Sequence, residues 1–123
     1  MSGYVTLAYV YFHSNDNDLN NKTPINVYLK KSDGIIIAQN AYEGGLSDHS
    51  DLGFDLYFPQ PNIKREDLAG GTIVVTIDPH GEDTWKFNFQ LLLYFSDNNY
   101  PDRYEWSGNE LSEDNITKSF NLR

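Results

Sequence analysis

The stretch from Thr84 to Phe95 constrains the fold of this chain more than any other. In the first part of this stretch, the polar residues Lys86, Asn88 and Gln90 alternate with large apolar side chains. The apolar side chains at the alternate positions are Trp85, Phe87, Phe89, Leu91, Leu93 and Phe95. A period of two residues is typical of a half-buried β-strand. At about 3.3 Å per residue, such a strand crosses a small domain, so we expect it to form the floor of a hydrophobic layer.

Other runs rich in β-branched and aromatic residues lie between clusters of turn residues, which predicts further strands. We place strands at Tyr4–Phe12, Ile25–Lys30, Ile35–Tyr42, Leu52–Phe58, Thr72–Asp78, Thr84–Phe95, Arg103–Ser107 and Ile116–Leu122. Asn62 provides an N-cap and Gly70 a C-terminal glycine, so one or two helical turns fit residues 62–69. The predicted fold is all-β: a single antiparallel β-sandwich of about eight strands covering residues 1–123, with at most one short helix.

Composition narrows the class of partner. A chain of 123 residues corresponds to about one domain. The formal charge of −9 and pI near 4.5 argue against nucleic acid and anionic lipid, unless a cation bridges the latter. No stretch approaches transmembrane length and no signal peptide is visible, which predicts a soluble protein, cytoplasmic if the chain is complete. A module cut from a secreted precursor would look the same, and the absence of cysteine fits either compartment.

The order of the strands predicts a charge asymmetry. If successive strands run between opposite ends of a sandwich, alternate loops share one end. The loops His13–Pro24, Glu43–Asp51, Pro79–Asp83 and Gly108–Asn115 then lie together. Their acidic residues are Asp16, Asp18, Glu43, Asp48, Asp51, Glu82, Asp83, Glu110, Glu113 and Asp114, with Lys22 as the cation.

A calcium site is the first functional hypothesis. The run from Asp16 to Asn21 carries oxygen side chains at alternating positions, as calcium loops do. It is not an EF-hand, because Asn21 replaces the glycine and Val27 the final glutamate. The alternative is a polar loop that satisfies its own backbone. The candidate Ca²⁺ ligands at the acidic end are Asp16, Asp18, Asn20, Asp48, Asp51, Glu82 and Asp83.

Catalytic signatures are weak, so we expect a noncatalytic protein. The run from Ser47 to Asp51 contains triad residue types, but triad members converge from separate elements. His80 and Glu82 could bind a transition metal if His13 or His49 came near them, although the chain has no H-x-x-x-H spacing typical of zinc sites.

Aromatic and amide side chains support a second hypothesis, carbohydrate binding without metal. Tyrosine and tryptophan stack on sugars, while asparagine bonds to their hydroxyl groups. The candidate residues are Tyr100, Tyr104, Trp106, Asn98 and Asn99. The alternative is that Tyr104 and Trp106 face the core of a short strand.

The order of short motifs resembles that of PLAT (LH2) domains, the β-sandwich modules of lipoxygenases and lipases. The motifs are Tyr4-Val5-Thr6-Leu7, the Asp-rich loop, Thr23-Pro24-Ile25-Asn26-Val27-Tyr28-Leu29, Glu66-Asp67-Leu68-Ala69-Gly70 and Asp83-Thr84-Trp85. The Asp-rich loop lacks the glycines usual in that family, and the closing aromatic segment differs. The resemblance implies a C2-like sandwich that docks to lipid or to a protein partner with the help of calcium.

Together these features predict a noncatalytic binding module in which Ca²⁺ assists recognition of a lipid, protein or glycan ligand at the acidic end. A metal-free, lectin-like domain is one alternative. A structural or interaction subunit of an oligomer is another, and it requires an exposed strand edge or an apolar patch.

Overall fold

The computed structural model describes residues 3–15, 23–47, 49–60, 62–79, 84–97 and 99–122. They form eight strands in two four-stranded antiparallel sheets, with one short helix. The elements are β1 (Val5–Ser14), β2 (Ile25–Lys30), β3 (Ile36–Tyr42), β4 (Asp51–Asp55), α1 (Arg65–Leu68), β5 (Thr72–Ile77), β6 (Thr84–Phe95), β7 (Asp102–Ser112) and β8 (Thr117–Asn121). The prediction of an all-β sandwich is confirmed. Within the described residues, no helix has the length and apolar character needed to cross a membrane.

The two sheets have the strand orders β4-β1-β6-β7 and β3-β2-β5-β8. The long alternating strand is β6, and it lies between β1 and β7 inside the first sheet. All six of its predicted core residues are buried: Trp85, Phe87, Phe89, Leu91, Leu93 and Phe95. The prediction of its buried face is therefore confirmed.

Phe89 lies at the centre of an aromatic cluster that joins the two sheets. Its ring stacks on Phe12 of β1 with centroids 4.8 Å apart. On the other side it contacts Trp106 of β7 at 5.6 Å and Phe120 of β8 at 5.3 Å. Because Phe120 belongs to the second sheet, these contacts hold the two layers together.

The strand registers confirm that alternate loops share one end of the sandwich. His13 near the end of β1 pairs with Asp51 at the start of β4. In the second sheet, Ile25 at the start of β2 pairs with both Tyr42 and Ile77, at the ends of β3 and β5. We call this end the acidic pole: the strand ends joined by the β1–β2, β3–β4, β5–β6 and β7–β8 connections.

The predicted loop from Gly108 to Asn115 is wrong, because β7 continues to Ser112. Gly108 has a φ of 69° and lies where the β6–β7 register shifts. Its N–H donates to Oδ1 of Asn88 at 3.0 Å. A glycine with positive φ lets a strand absorb an extra residue as a bulge and then continue, so a turn signal here marks an irregular strand. Glu110 consequently lies on β7, paired with Lys86 of β6.

Arg65 of α1 clamps the opposite end of the sandwich. Its guanidinium donates to Asp97 at 2.8 Å and to Asp102 at 2.9 Å. Its Cζ atom lies 3.9 Å from the ring centroid of Phe95. Asp97 also accepts the N–H of Gly3 at 3.0 Å, so one carboxylate ties the N-terminal segment to the helix.

This clamp predicts a loss of stability in acid. The hydrogen bond from Arg65 holds the pKa of Asp97 below its usual value of about 3.9. A lowered pKa in the folded state contributes stability above the unfolded pKa, and that contribution disappears as the pH falls through the folded value. We therefore expect Asp97→Asn to lower the melting temperature at pH 7 and to have a smaller effect at pH 2. A melting-temperature difference from the unsubstituted protein that is equal at the two pH values would contradict this role.

Candidate functional site

A groove of about 370 Å³ crosses the outer face of the β3-β2-β5-β8 sheet. We call it the tyrosine groove. Its lining residues are Asn26, Tyr28, Gln39, Asn40, Ala41 and Tyr57.

The alternation of β2 determines one wall of the groove. Ile25, Val27 and Leu29 are fully buried in the core. Side chains on a strand alternate between its two faces, so Asn26 and Tyr28 lie on the outer face. The register pairs Tyr28 with Gln39 of β3. Residues paired directly across a sheet share a face, so Gln39 continues the same outer row.

The other wall comes from a chain segment that leaves the first sheet. After β4 ends at Asp55, Leu56 is 4% exposed and anchors the crossing. The backbones of Tyr57 and Gln39 then exchange two hydrogen bonds of 3.0 Å. This bridge places Tyr57 beside Gln39 at the edge of the second sheet, where its side chain is 67% exposed.

Tyr28, Gln39 and Tyr57 therefore form one row that runs across the strands. With neighbouring strands about 4.8 Å apart, the two tyrosines stand roughly 10 Å from each other. Ala41 lies two residues along β3 from Gln39, and its small side chain leaves open space beside this row. The result is a shallow channel between two phenol rings with an amide on its floor.

Asn40 stiffens the rim of the tyrosine groove. Its Nδ2 donates to the carbonyl oxygen of Asp55 at 2.7 Å, and its Oδ1 accepts the N–H of Ala41 at 2.8 Å. None of the described residues that line the groove is charged. The groove thus offers aromatic faces and neutral hydrogen-bonding groups, and its described lining holds no carboxylate pair for acid–base chemistry.

The carbohydrate-binding residues predicted from the sequence do not form one surface in the described part of the chain. Tyr100 is 76% exposed and Asn99 is also exposed, in the turn between β6 and β7. Asn98 lies outside the described residues. Tyr104 and Trp106 pair with Leu91 and Phe89, so both lie on the inner face of the sheet.

Trp106 packs against Phe120 with ring centroids 4.6 Å apart, which fits the core alternative that the sequence left open. Tyr104 and Trp106 also line a cavity of about 100 Å³. Ligand pockets usually measure about 300–1,000 Å³, so this cavity is small for a sugar.

Most of the predicted calcium ligands lie outside the described residues: Asp16, Asp18, Asn20, Asp48, Glu82 and Asp83. Asp51 is described, and hydrogen bonds from Tyr11 and then from His13 hold its pKa below the usual value. Among the described residues, no group of three or more histidine, aspartate or glutamate side chains is close enough to hold a metal ion. The calcium site remains a prediction.

Tyr28 and Tyr57 are not among the binding residues predicted from the sequence. The position of Tyr28 has a local signal, because it alternates with the apolar residues of β2 and must face outward. Tyr57 has none, since its place in the groove depends on the bridge to Gln39, eighteen positions earlier in the chain.

Fold and groove together define a β-sandwich domain with a neutral aromatic and amide channel on one outer sheet face. No protein-family model, curated protein or solved structure matches the chain. The resemblance to PLAT domains therefore remains a prediction based on the short motifs that suggested it.

Proposed function

We propose that this protein is a noncatalytic binding module that holds a neutral glycan in the tyrosine groove. The observation that carries the proposal is the row of Tyr28, Gln39 and Tyr57, with one phenol ring on each side of an amide. Phenol rings stack on the apolar faces of sugar rings, and the amides of Gln39 and Asn26 can donate to and accept from sugar hydroxyl groups.

The uncharged lining of the groove and the negative charge of the whole chain favour a neutral ligand. The described lining is uncharged, while the whole chain has a formal charge of −9. A sulfated or uronic-acid glycan would be repelled during its approach, whereas a neutral one would not. The openness of the channel along the row also suits a chain of sugars better than a single enclosed monosaccharide. Two tyrosines roughly 10 Å apart can contact two rings of one short oligosaccharide.

The test begins with a glycan array screened in the presence of a chelator, followed by calorimetry on the tightest neutral oligosaccharide. We expect Tyr57→Ala to weaken binding about 2- to 13-fold, since an aromatic contact contributes roughly 0.5–1.5 kcal/mol. Tyr57→Phe should retain most of the affinity. Because Tyr57 is largely exposed, its replacement should leave the melting temperature nearly unchanged.

Tyr100→Ala is the matched control, because Tyr100 is another strongly exposed tyrosine and lies in a different part of the molecule. It should bind like the unsubstituted protein. Loss of binding in Tyr100→Ala with normal binding in Tyr57→Ala would contradict the tyrosine groove and favour the β6–β7 turn. Absence of detectable binding to every neutral glycan on the array would contradict carbohydrate binding.

Calcium-assisted binding at the acidic pole is a second proposal. Its support is the convergence of the strand ends that flank the four acidic loops. A ligand that binds the native state raises the midpoint of unfolding. We expect millimolar Ca²⁺ to raise the melting temperature relative to a chelator, and Asp16→Asn with Asp18→Asn to remove that rise. Superimposable melting curves would contradict the proposal.

A further inference from the structure

Two of the three histidines of the chain lie side by side at the acidic pole. His13 is near the end of β1, and His49 is in the turn before β4. Their ring centroids are 6.4 Å apart. Backbone hydrogen bonds hold the two segments together, from Ser14 N–H to the Ser50 carbonyl at 2.8 Å and from His49 N–H to the Asn15 carbonyl at 3.3 Å.

The carboxylate of Asp51 determines which nitrogen of the neutral His13 ring carries the proton. Nδ1 of His13 lies 2.6 Å from Oδ1 of Asp51. An ionised carboxylate only accepts hydrogen bonds, so Nδ1 carries the proton and Nε2 of the neutral ring keeps a free lone pair. Tyr11 donates its hydroxyl to the same carboxylate, which holds Asp51 in place. A carboxylate that orients one ring nitrogen while the other is available is the usual support of a metal-binding histidine.

The separation of the rings is within reach of a shared ion. With metal–nitrogen bonds of about 2 Å, two imidazoles around one tetrahedral ion have centroids about 5 Å apart. The observed distance exceeds this by roughly 1.4 Å. His49 is exposed, and its φ of 61° is uncommon for a residue other than glycine. A rotation of this exposed side chain can close the gap without disturbing the core.

We propose that His13 and His49 bind one divalent transition-metal ion such as Zn²⁺, with Asp51 orienting His13 and water completing the coordination. Imidazole nitrogen prefers zinc, copper and nickel, whereas Ca²⁺ prefers oxygen ligands. The imidazole ligands therefore distinguish this site from the proposed calcium site at the same pole, although Asp51 is a candidate residue in both. It does not depend on the tyrosine groove, whose residues belong to β2, β3 and the crossing segment of the other sheet. The negative charge of the chain raises the local concentration of cations.

Calorimetric titration of ZnCl₂ into the chelator-treated protein tests the site. We expect one ion per chain and loss of measurable binding in His13→Ala and in His49→Ala. Asp51→Ala should weaken binding about 10- to 100-fold, the usual cost of removing such a partner. Glu66→Ala, which removes an exposed carboxylate of α1 at the opposite end of the sandwich, should bind like the unsubstituted protein. Absence of binding, binding that survives both His13→Ala and His49→Ala, or an equal loss in Glu66→Ala would overturn the assignment.

A second measurement needs no substitution and keeps the test valid if a variant fails to fold. In proton–carbon spectra of the histidine rings, Zn²⁺ should shift the signals of His13 and His49, which through-bond correlations to the backbone assign without any substitution. Ca²⁺ at the same concentration should not reproduce these shifts. Unchanged His13 and His49 signals, or equal shifts with Ca²⁺ and Zn²⁺, would contradict the proposal.

Discussion

Replacement of Phe89 by alanine is expected to lower the free energy of unfolding by about 3–5 kcal/mol. Its side chain is completely buried and contacts aromatic rings from β1, β7 and β8. The substitution removes that burial and leaves a cavity between the two sheets, which the surrounding rings can fill only in part. Denaturant-induced unfolding, followed by tryptophan fluorescence and by circular dichroism, measures the loss.

Lys86→Ala is the matched control on the same strand. Lys86 is exposed on the outer face of β6, and such substitutions usually change stability by no more than about 0.5 kcal/mol. Asn88, which the alternation also places on that face, is a poorer control. Its Oδ1 accepts hydrogen bonds from Gly108 N–H at 3.0 Å and from Asn15 Nδ2 at 3.1 Å, so its removal also disturbs the bulge. Equal losses for Phe89→Ala and Lys86→Ala would contradict the assignment of the buried face.

Gly71→Ala is expected to destabilise the fold by about 1–3 kcal/mol, the usual cost of forcing extra volume into a packed position. A methyl group at Gly71 would overlap the carbonyl oxygen of Lys30 and lie 3.1 Å from that of Leu68. Both obstacles are backbone atoms, so neither can rotate away. Gly71 also accepts the N–H of Leu122 at 2.9 Å, which means that a shift of this residue disturbs the C-terminal segment.

Gly53→Ala provides the comparison. A methyl group there overlaps the hydroxyl group of Tyr9, the far end of a side chain on the outer face of β1. That ring can turn aside, and alanine is better suited than glycine to a strand interior. Neither Gly71 nor Gly53 has a positive φ, so the two substitutions differ chiefly in what the methyl group meets. Thermal melts should show a clear loss for Gly71→Ala and a small change for Gly53→Ala; the reverse order would contradict the packing around Gly71.

The positions of the tyrosine groove and of the histidine pair make the tests of these two sites independent. The tyrosine groove lies on the outer face of the second sheet, on strands whose inner faces are buried in the core. The histidine pair lies at one end of the first sheet, between β1 and the turn before β4. A binding defect in Tyr57→Ala would therefore leave the zinc titration unchanged, and a defect in His49→Ala would leave glycan binding unchanged.

Local patterns in the sequence identified all eight strands and the buried face of β6, although β7 ends five residues later than predicted. The predicted bounds of β2 and β6 agree with the structure, and the alternation in β6 identified all six of its core residues. Successive side chains of a strand point to opposite faces of the sheet, whichever strands lie beside it. The buried face can therefore be predicted from the alternation of apolar and polar residues before the neighbouring strands are known. The shared pole followed from the number of strands alone, because each strand reverses the direction of the chain.

The tertiary structure decided which residues from different strands meet. Tyr57 enters the groove through its bridge to Gln39, and Asp51 reaches His13 through the pairing of β1 with β4. Gly108 likewise became a bulge instead of a turn because β6 continued beside it. These outcomes depend on strand order and register, which the packing of the two hydrophobic layers sets over the whole chain. The alternation of side chains along a strand shows which residues face the core and which face solvent. It does not show which strand is the neighbour, because strand pairing depends on how the two sheets pack together.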